Sequence, residues 1–479
     1  MNRREFLRQS GVALGSLALL RSSQYAEAVV TERPDVLFIA IEDISPVMGC
    51  YGNPVVRTPN IDAFASRGVR FDSTQCQFPV CNPSRASMLS GLRPRTNGVM
   101  GNATDWNERL KPGTTMPEYF RSNGYETATV GKIFHRGNSG RVYDSTARWS
   151  RIIPENADLP RRSMKRKIPP QYLYDHLVKE EREKSYHTRA WHWGPLACDD
   201  IDTSDGRIAE QAVRVLSKPR QEGDKPLFFA VGFHKTHLPL RAPEKYFDMY
   251  PPEEMPLPDY PKDDLDDVPK RYSLQNHKAF TDKKRREAIA AFYACTTFID
   301  TQVGKVLDAL KQSGRDKNTI VVIWGDHGFH LGQHMLWQKM TLFEESCRVP
   351  LIIYAPEVTK PGGVCNRPTE SIDLYPTLAE LCDLDTPEDL EAISMVPLLR
   401  DPGHSWKKAA FTYHGSGVSI RTQRWRYNEW RSPEKAELYD HESDPKEIKN
   451  LAGDPKYIST VRELSALIKS GWQAALPVK

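Results

Sequence analysis

One cysteine of the chain stands where a reactive group could form. Cys81 comes two residues before Pro83 and four before Arg85, within the stretch VCNPSRASML. Proline suits the first turn of a helix, where its missing N–H is not needed, and Gly91 is typical of a helix end. This spacing places Cys81 at a helix N-terminus, where the dipole and free N–H groups favour negative charge. Two interpretations follow: a thiolate nucleophile, or a small buried hydrophobic side chain, the usual fate of a free cysteine.

Acidic, histidine and lysine side chains follow several apolar runs elsewhere in the chain. Each is weak evidence alone, because an isolated acidic pair is usually solvated and a lone histidine is usually structural. The evidence for a functional role is stronger for Asp326, because the apolar run directly before it makes a solvated position unfavourable. Their recurrence after successive runs is the informative feature. The side chains concerned are Glu42, Asp43, Lys132, His135, His234, Lys235, His237, Asp326, His327 and, before the last run, Lys339.

These residue types indicate a particular chemistry. Carboxylate oxygens favour a hard divalent cation, calcium or magnesium, over zinc. Lysines and histidines beside such a metal favour an anionic group. A metal, several cations and a nucleophile together fit the transfer of a sulfuryl or phosphoryl group.

The elements that must position these residues alternate along the chain. Strands that alternate with helices indicate an α/β fold, with a large, mostly parallel sheet flanked by helices. Ligands of such sheets bind at the carboxyl ends of the strands, so we expect the residues above to share one edge. Buried strands, rich in Val, Ile and Phe, are predicted at 35–42, 126–132, 226–233, 319–326 and 350–356. Helices are predicted at 60–68, 116–124, 204–218, 286–314 and 369–384.

The chain is predicted to have two domains after its first 28 residues. Residues 29–386 would form the catalytic domain, with polar insertions or lids at 140–200 and 250–285. Residues 387–479 would form a smaller C-terminal α+β subdomain, because short strand patterns with tight turns there precede an amphipathic helix.

Charge and the N-terminal stretch bear on location and partners. The 479 residues carry 66 Lys+Arg and 62 Asp+Glu, and this near balance argues against a nucleic-acid or membrane-binding surface. Residues 1–28 combine Arg3-Arg4, an apolar run too short to span a bilayer, and a small-x-small end. They predict a twin-arginine-like signal and export to the periplasm or beyond, without stable membrane insertion. The eight scattered cysteines form no CxxC and predict no particular disulfide.

The stretch around Cys81 resembles the signature C-x-P-S-R of type I sulfatases, and the following ASMLSGLRP matches through Gly91 and Arg93. GFHKTHLPLRAP and WGDHGFHLGQHMLWQK are most similar to the iduronate-2-sulfatase branch of this family, within the alkaline phosphatase superfamily. The resemblance covers residues 34–360 and continues more weakly through ELYDHESDPKEIKNLA. It implies that Cys81 is oxidised before folding to formylglycine, whose hydrate is the active form.

The resemblance also implies which residues bind metal. Positions that ligate one calcium ion are matched by Asp43, Asp326, His327 and Cys81. Glu42 stands where the family usually has aspartate. It is one methylene longer, so we expect it to ligate with a shifted geometry.

The remaining matched positions imply a mechanism. The family's sulfate-binding and proton-transfer positions are matched by Lys132, His135, His237 and Lys339, and Arg85 matches the residue that steadies the hydrated aldehyde. One hydroxyl of the hydrate would attack sulfur, favoured as an alkoxide by calcium and Asp326. Lys132 and Lys339 would neutralise the sulfuryl oxygens, while His237, with Lys339, protonates the leaving alcohol. His135 would then deprotonate the second hydroxyl, so that sulfate leaves and the aldehyde returns.

The implied substrate is a sulfated carbohydrate, a 2-O-sulfated uronate in a polysaccharide or its fragments. Other sulfated glycans and small sulfate esters stay open, because substrate pockets lie on variable loops. The implied partner during maturation is a formylglycine-generating enzyme.

Other functions remain open at this point. Phosphatases, phosphodiesterases and phosphonate hydrolases of the same fold generally use Thr or Ser, often with two zinc ions, so C-x-P-S-R disfavours them. A non-catalytic glycan-binding relative is disfavoured by the complete set of catalytic positions. The sequence does not decide whether Cys81 is converted.

Overall fold

The computed structural model describes residues 33–135, 147–157, 193–269 and 280–477. The predicted signal segment 1–28 and most of the predicted insertion 140–200 lie outside these residues. The strands are β1 (Asp35–Ile41), β2 (Val69–Phe71), β3 (Thr74–Gln75), β4 (Glu126–Gly131), β5 (Arg151–Ile153), β6 (Leu227–Phe233), β7 (Thr319–Gly325), β8 (His330–Leu331), β9 (Trp337–Gln338), β10 (Leu351–Tyr354), β11 (Gly363–Cys365), β12 (Thr369–Glu370), β13 (Ala410–His414), β14 (Gly417–Arg421), β15 (Trp425–Trp430) and β16 (Ser432–Asp440). The helices are α1 (Pro59–Ala65), α2 (Cys81–Ser90), α3 (Pro94–Asn97), α4 (Trp106–Arg109), α5 (Met116–Ser122), α6 (Ser204–Leu216), α7 (Glu244–Phe247), α8 (Asp282–Gln312), α9 (Glu344–Cys347), α10 (Leu374–Leu381), α11 (Val396–Arg400) and α12 (Ile458–Ser470).

The central sheet has eight strands in the order β11-β2-β10-β7-β1-β6-β4-β5. From β7 to β5 all neighbouring strands are parallel. Every residue of β1, β6 and β7 is buried, as expected for parallel strands covered on both faces. The mostly parallel α/β sheet predicted from the sequence is confirmed.

The strand β10 runs antiparallel to its neighbour β7, and Leu351 at its start pairs with Trp324 at the end of β7. The segment that enters β10 therefore comes from the edge of the sheet at which the parallel strands end. This direction explains how Lys339, which precedes a strand in the sequence, reaches the edge where the other candidate residues follow theirs.

Helices cover both faces of the sheet, and alternate residues of β1 face the two layers. Leu37 and Ile39 pack in one buried cluster with residues of α1, α6 and α8, while Val36 and Phe38 pack in a second with α2, α5 and α10. The 31-residue α8 spans about 46 Å, and the side chain of Thr281 caps its start. Within the described ranges, none of the helices has the length and apolar character that a membrane span requires.

The second sheet, β13-β14-β15-β16, is an antiparallel meander on which α12 packs. It gives the smaller C-terminal α+β part that the sequence predicted. Residues Pro34–Lys479 form one compact unit that includes both sheets. The proposed boundary between residues 386 and 387 stays a prediction.

The helix predicted at 369–384 is shorter in the structure. Thr369 and Glu370 instead form β12, which pairs with β3, and the α-helix runs only over Leu374–Leu381. Glu370 forms ion pairs with Arg93 and Lys407. Both partners are distant in the sequence, so the local helical pattern could not indicate these contacts.

The second sheet contains a buried carboxyl group that makes stability depend on pH. Burial raises the pKa of Glu437 to about 7, although Asn428 and Trp430 donate hydrogen bonds to it. The folded state therefore retains this proton while the unfolded chain loses it above about pH 4.5. Stability should fall by roughly 3 kcal/mol between about pH 4.5 and 7 from this group, and then level off. We expect Glu437→Gln to remove that loss, so that its melting temperature relative to the unmodified chain rises from pH 5 to pH 7.5. A constant difference between the two chains would contradict the prediction.

Candidate active site

Cys81 is the first residue of α2, and Gly91 ends this helix in a left-handed conformation (φ 68°), as the sequence predicted. All ten residues of α2 are buried. Cys81 Sγ lies 3.2 Å from His327 Nε2, 3.2 Å from Lys339 Nζ and 3.7 Å from Asp43 Oδ1. Burial raises the pKa of this thiol to about 12 despite the nearby ammonium group. The unmodified side chain is therefore a neutral thiol, and the thiolate interpretation does not hold for it.

Two carboxylates lie beside Cys81, after β1 and β7. Asp326 Oδ1 accepts hydrogen bonds from the backbone N–H groups of Asp43 (2.9 Å) and His327 (3.0 Å). Burial alone would raise the pKa of both carboxyl groups. Lys339 more than offsets this for Asp43, and His327 with Arg85 does so for Asp326. Both pKa values are thus held well below their usual range, and both side chains are carboxylates.

His327 directs its Nε2 atom towards these groups. Its Nδ1 donates a hydrogen bond to the backbone carbonyl of Gly328 at 2.9 Å, which fixes the orientation of the ring. That Nε2 lies 3.1 Å from Asp43 Oδ1. Ligand atoms of Asp43, Cys81, Asp326 and His327 all lie within 4.8 Å of one another. Four of the five predicted metal ligands are thus together, with Nε2 of His327 facing the carboxylates.

Arg85 connects two elements of the site. Its Nε lies 2.8 Å from Asp326 Oδ2, and its Nη1 donates to the backbone carbonyls of Lys132 (2.7 Å) and Ile133 (2.9 Å). Its Nη2 is buried without a hydrogen-bond partner among the described residues. The guanidinium therefore fixes Asp326 against the end of β4 and keeps one nitrogen available to donate to a further oxygen.

The two predicted lysines are buried next to the carboxylates. Lys339 Nζ lies 2.6 Å from Asp43 Oδ1. Burial alone would lower the pKa of Lys339, but Asp43 raises it above its ordinary value, so Lys339 is an ammonium ion. Lys132 forms an ion pair with Glu42, which faces this lysine through its longer side chain. Ligand atoms of Glu42, Asp43, Cys81 and His237 form a second group within 4.8 Å, which overlaps the first.

His237 is the exposed member of the cluster, with 41% of its side chain accessible. Its Nδ1 donates to the carbonyl of Leu238 at 2.7 Å, and its Nε2 lies 3.9 Å from Glu42 Oε1. Partial desolvation, with the charges of Lys339 and Lys132, lowers the pKa of His237 below its ordinary value. The imidazole is therefore neutral, with its Nε2 lone pair at the mouth of the site.

Two other histidines have different surroundings. His135 is half-buried three residues after Lys132, and its backbone carbonyl accepts a hydrogen bond from the Trp106 indole (2.5 Å). Its role as a base stays a prediction. His234 pairs with a residue outside the predicted ligands, since its Nε2 lies 3.1 Å from Glu155 Oε1.

The sequence did not indicate two side chains that hold the backbone of the site. Thr236 donates from its N–H to the Glu42 carbonyl (2.9 Å) and from its hydroxyl to the Asp43 carbonyl (2.9 Å). Ser84 donates to the backbone carbonyl of Asp326. Ser84 belongs to the C-x-P-S-R stretch, which could have indicated a role, whereas nothing around Thr236 did.

Comparison with known proteins identifies the family. The model of the sulfatase family matches residues 34–384. The chain belongs to the sulfatase family. The model described as N-sulphoglucosamine sulphohydrolase, C-terminal, matches residues 332–473 of this sulfatase.

Individual relatives cover most of the sulfatase. A sulfatase of Formosa agariphila is 33% identical over 460 residues, 91% of this chain and 86% of that protein. Human iduronate 2-sulfatase is 30% identical over 437 residues, which cover 79% of this chain and 74% of that protein. A solved structure of a 2-O GAG sulfatase superposes with a TM-score of 0.70 at 26% identity, covering 92% of each chain.

The expected family and enzyme class are confirmed. The sulfatase is a sulfuric ester hydrolase, and members of its family generally use a formylglycine and a metal ion.

Proposed function

We propose that this sulfatase uses a formylglycine made from Cys81 and one calcium ion to release sulfate from a 2-O-sulfated uronate. The substrate would be a polysaccharide or its fragments. The observation that carries the proposal is the meeting of Cys81, at a helix N-terminus, with carboxylates and buried lysines at the carboxyl edge of the sheet.

The donor atoms fit a hard divalent cation. The two overlapping groups supply carboxylate oxygens from Glu42, Asp43 and Asp326 and the Nε2 atom of the His327 imidazole. Oxygen-rich sets of this kind favour calcium over zinc. Glu42 would complete the set from the side of Lys132, where its longer side chain lies.

The burial of α2 supports conversion of Cys81 before the chain folds. The Cys81 side chain has no exposed surface, and all neighbouring residues of its helix are enclosed. A formylglycine-generating enzyme could not reach this side chain in the folded protein. Conversion would thus precede folding and, with the predicted signal at 1–28, export of the folded enzyme to the periplasm.

The surrounding residues divide the catalytic tasks. When formed and bound, the formylglycine hydrate and calcium supply the attacking hydroxyl and stabilise negative charge on oxygen. Lys132 and Lys339 hold the sulfuryl oxygens, and Arg85 donates from Nη2 to an oxygen on residue 81. The anionic ester raises the proton affinity of His237, which takes up a proton from solvent at the mouth of the site and then transfers it to the leaving alcohol. His135 would accept the proton of the second hydroxyl.

The relatives support a 2-O-sulfated uronate as the substrate. Iduronate 2-sulfatase and the 2-O GAG sulfatase both have names that refer to sulfate at a 2-position. We expect kcat/KM for a 2-O-sulfated uronate disaccharide to exceed that for 6-O-sulfated and N-sulfated disaccharides by at least about 100-fold. The measurement is sulfate release from matched disaccharides, with formylglycine content determined on the same sample.

Two controls separate the parts of the proposal. Aryl sulfate and aryl phosphate, offered to the same sample, test the catalytic proposal, because faster hydrolysis of the aryl phosphate would refute it. A preference for 6-O-sulfated or N-sulfated sugars at full formylglycine content would refute the substrate and leave the catalytic proposal intact.

A further inference from the structure

A second buried cluster lies beside the loop that carries Lys339, and its centre is His334. The His334 imidazole is fully buried, with Nδ1 2.8 Å from Asp264 Oδ2 and Nε2 3.6 Å from Glu345 Oε2. Its ring stacks on Phe343, with centroids 3.9 Å apart and planes 17° apart. The Tyr260 ring lies 4.6 Å away and its hydroxyl donates to Glu345 Oε1 at 3.3 Å.

The charges of this cluster favour a protonated His334. Burial alone would lower its pKa, but the two carboxylates raise it to about 10. The neighbouring Glu447 is already engaged by Arg426 and by His441, so Asp264 and Glu345 are the carboxylates left to pair with His334. His334 is thus an imidazolium held between one carboxylate from residues 252–269 and another from α9.

The loop that joins β8 to β9 and continues to Lys339 does not have a locally favourable conformation. His334, Met335, Gln338 and Met340 all have positive φ values, between 55° and 78°. A left-handed conformation costs roughly 1–2 kcal/mol for each residue with a side chain. Contacts from outside the loop must therefore hold it in place, and Lys339 lies between two of these residues.

We propose that His334 is a positioning residue for Lys339: its double ion pair to Asp264 and Glu345 holds the β8–β9 loop so that the Lys339 ammonium stays at Asp43 and residue 81. Lys339 Nζ makes short contacts with both groups, at 2.6 Å to Asp43 and 3.2 Å to Cys81. A shift of about 1 Å would remove it from the reacting sulfuryl group. The inference rests on the proposed role of Lys339.

The test replaces His334 by Gln, which retains the polar shape and removes the charge. We expect kcat for sulfate-ester hydrolysis to fall about 10- to 100-fold, with KM changed less than about threefold. Formylglycine content and the amount of bound metal should equal those of the unmodified enzyme. In a crystal structure of His334→Gln, the Lys339 ammonium should have left Asp43.

His330→Gln is the matched control, because His330 is an equally buried imidazole in the same part of the chain. It bonds the Thr341 hydroxyl at 2.8 Å, and burial lowers its pKa to about 4, so the substitution removes no charge. We expect this variant to retain kcat within about threefold, even if its melting temperature falls as far as that of His334→Gln. Equal losses of kcat in the two variants would mean that general destabilisation, and not the His334 charge, lowers activity.

Lys339→Ala separates this inference from the proposed function. Full activity of Lys339→Ala would refute the role of the lysine itself. Loss of activity in Lys339→Ala together with unchanged kcat in His334→Gln would refute the positioning role alone. A second metal ion per chain that disappears in His334→Gln would also overturn it, since the cluster would then be a metal site.

Discussion

Replacing Cys81 by alanine is expected to abolish sulfate-ester hydrolysis, with a fall in kcat of at least about 10⁴-fold. Alanine cannot be converted to an aldehyde, so no hydrate can attack sulfur and later expel sulfate. Replacement by serine should be nearly as damaging, because a plain hydroxyl could be sulfated but could not release sulfate by collapse to a carbonyl. The measurement is steady-state turnover of an aryl sulfate.

Cys198→Ala is the matched control for this experiment. Cys198 is a half-buried cysteine of the same chain outside the described catalytic cluster, and we expect its replacement to leave kcat unchanged. Appreciable turnover by Cys81→Ala, at a level above about 1% of the unmodified enzyme, would contradict the role of residue 81.

Replacing Asp326 by Asn is expected to prevent binding of the metal ion. As a result, kcat should fall by at least about 10³-fold. The substitution takes away the negative charge that both the cation and the Arg85 guanidinium require. Because Arg85 would then be a buried charge without its carboxylate, the free energy of unfolding should fall by about 3–5 kcal/mol. Calcium bound per chain, measured by elemental analysis, and the melting temperature test both parts.

Asp300→Asn provides the comparison for Asp326→Asn. Asp300 is also a buried aspartate that accepts backbone hydrogen bonds, from Asn60 (3.2 Å) and Ile61 (2.8 Å) at the start of α1. Its loss should affect stability without changing the calcium content. Retention of one calcium ion by Asp326→Asn would show that Asp326 is not a required ligand.

The sequence predicted the parts of the site that depend on local order. Apolar periodicity indicated the strands that precede Asp43, Lys132 and Asp326, and the shared edge of parallel strands then predicted that these side chains meet. The helix that begins at Cys81 could be predicted because proline and glycine mark its two ends. The strands and the helix are each indicated by residues within about ten positions of one another, and the shared edge follows from the general geometry of parallel sheets.

Contacts between distant segments could not be predicted in the same way. Nothing near Glu42 indicates that it faces Lys132, 90 residues later in the chain. His334 and Asp264 are 70 residues apart and pair only because the fold brings the two segments together. The shortened helix after Glu370 has the same origin, since its ion pairs to Arg93 and Lys407 compete with the local helical tendency.

The reversed direction of β10 has a consequence for how this enzyme could diversify. Residues 326–350 connect β7 to β10 and begin and end at the same edge of the sheet. Asp326 lies at the start of this segment, and β10 follows its end. Such a segment can change at its other positions without altering any strand, provided that Asp326, His327, His334 and Lys339 keep their places. Directed evolution towards a new sulfate position should therefore accumulate changes between these residues while the strand order stays constant.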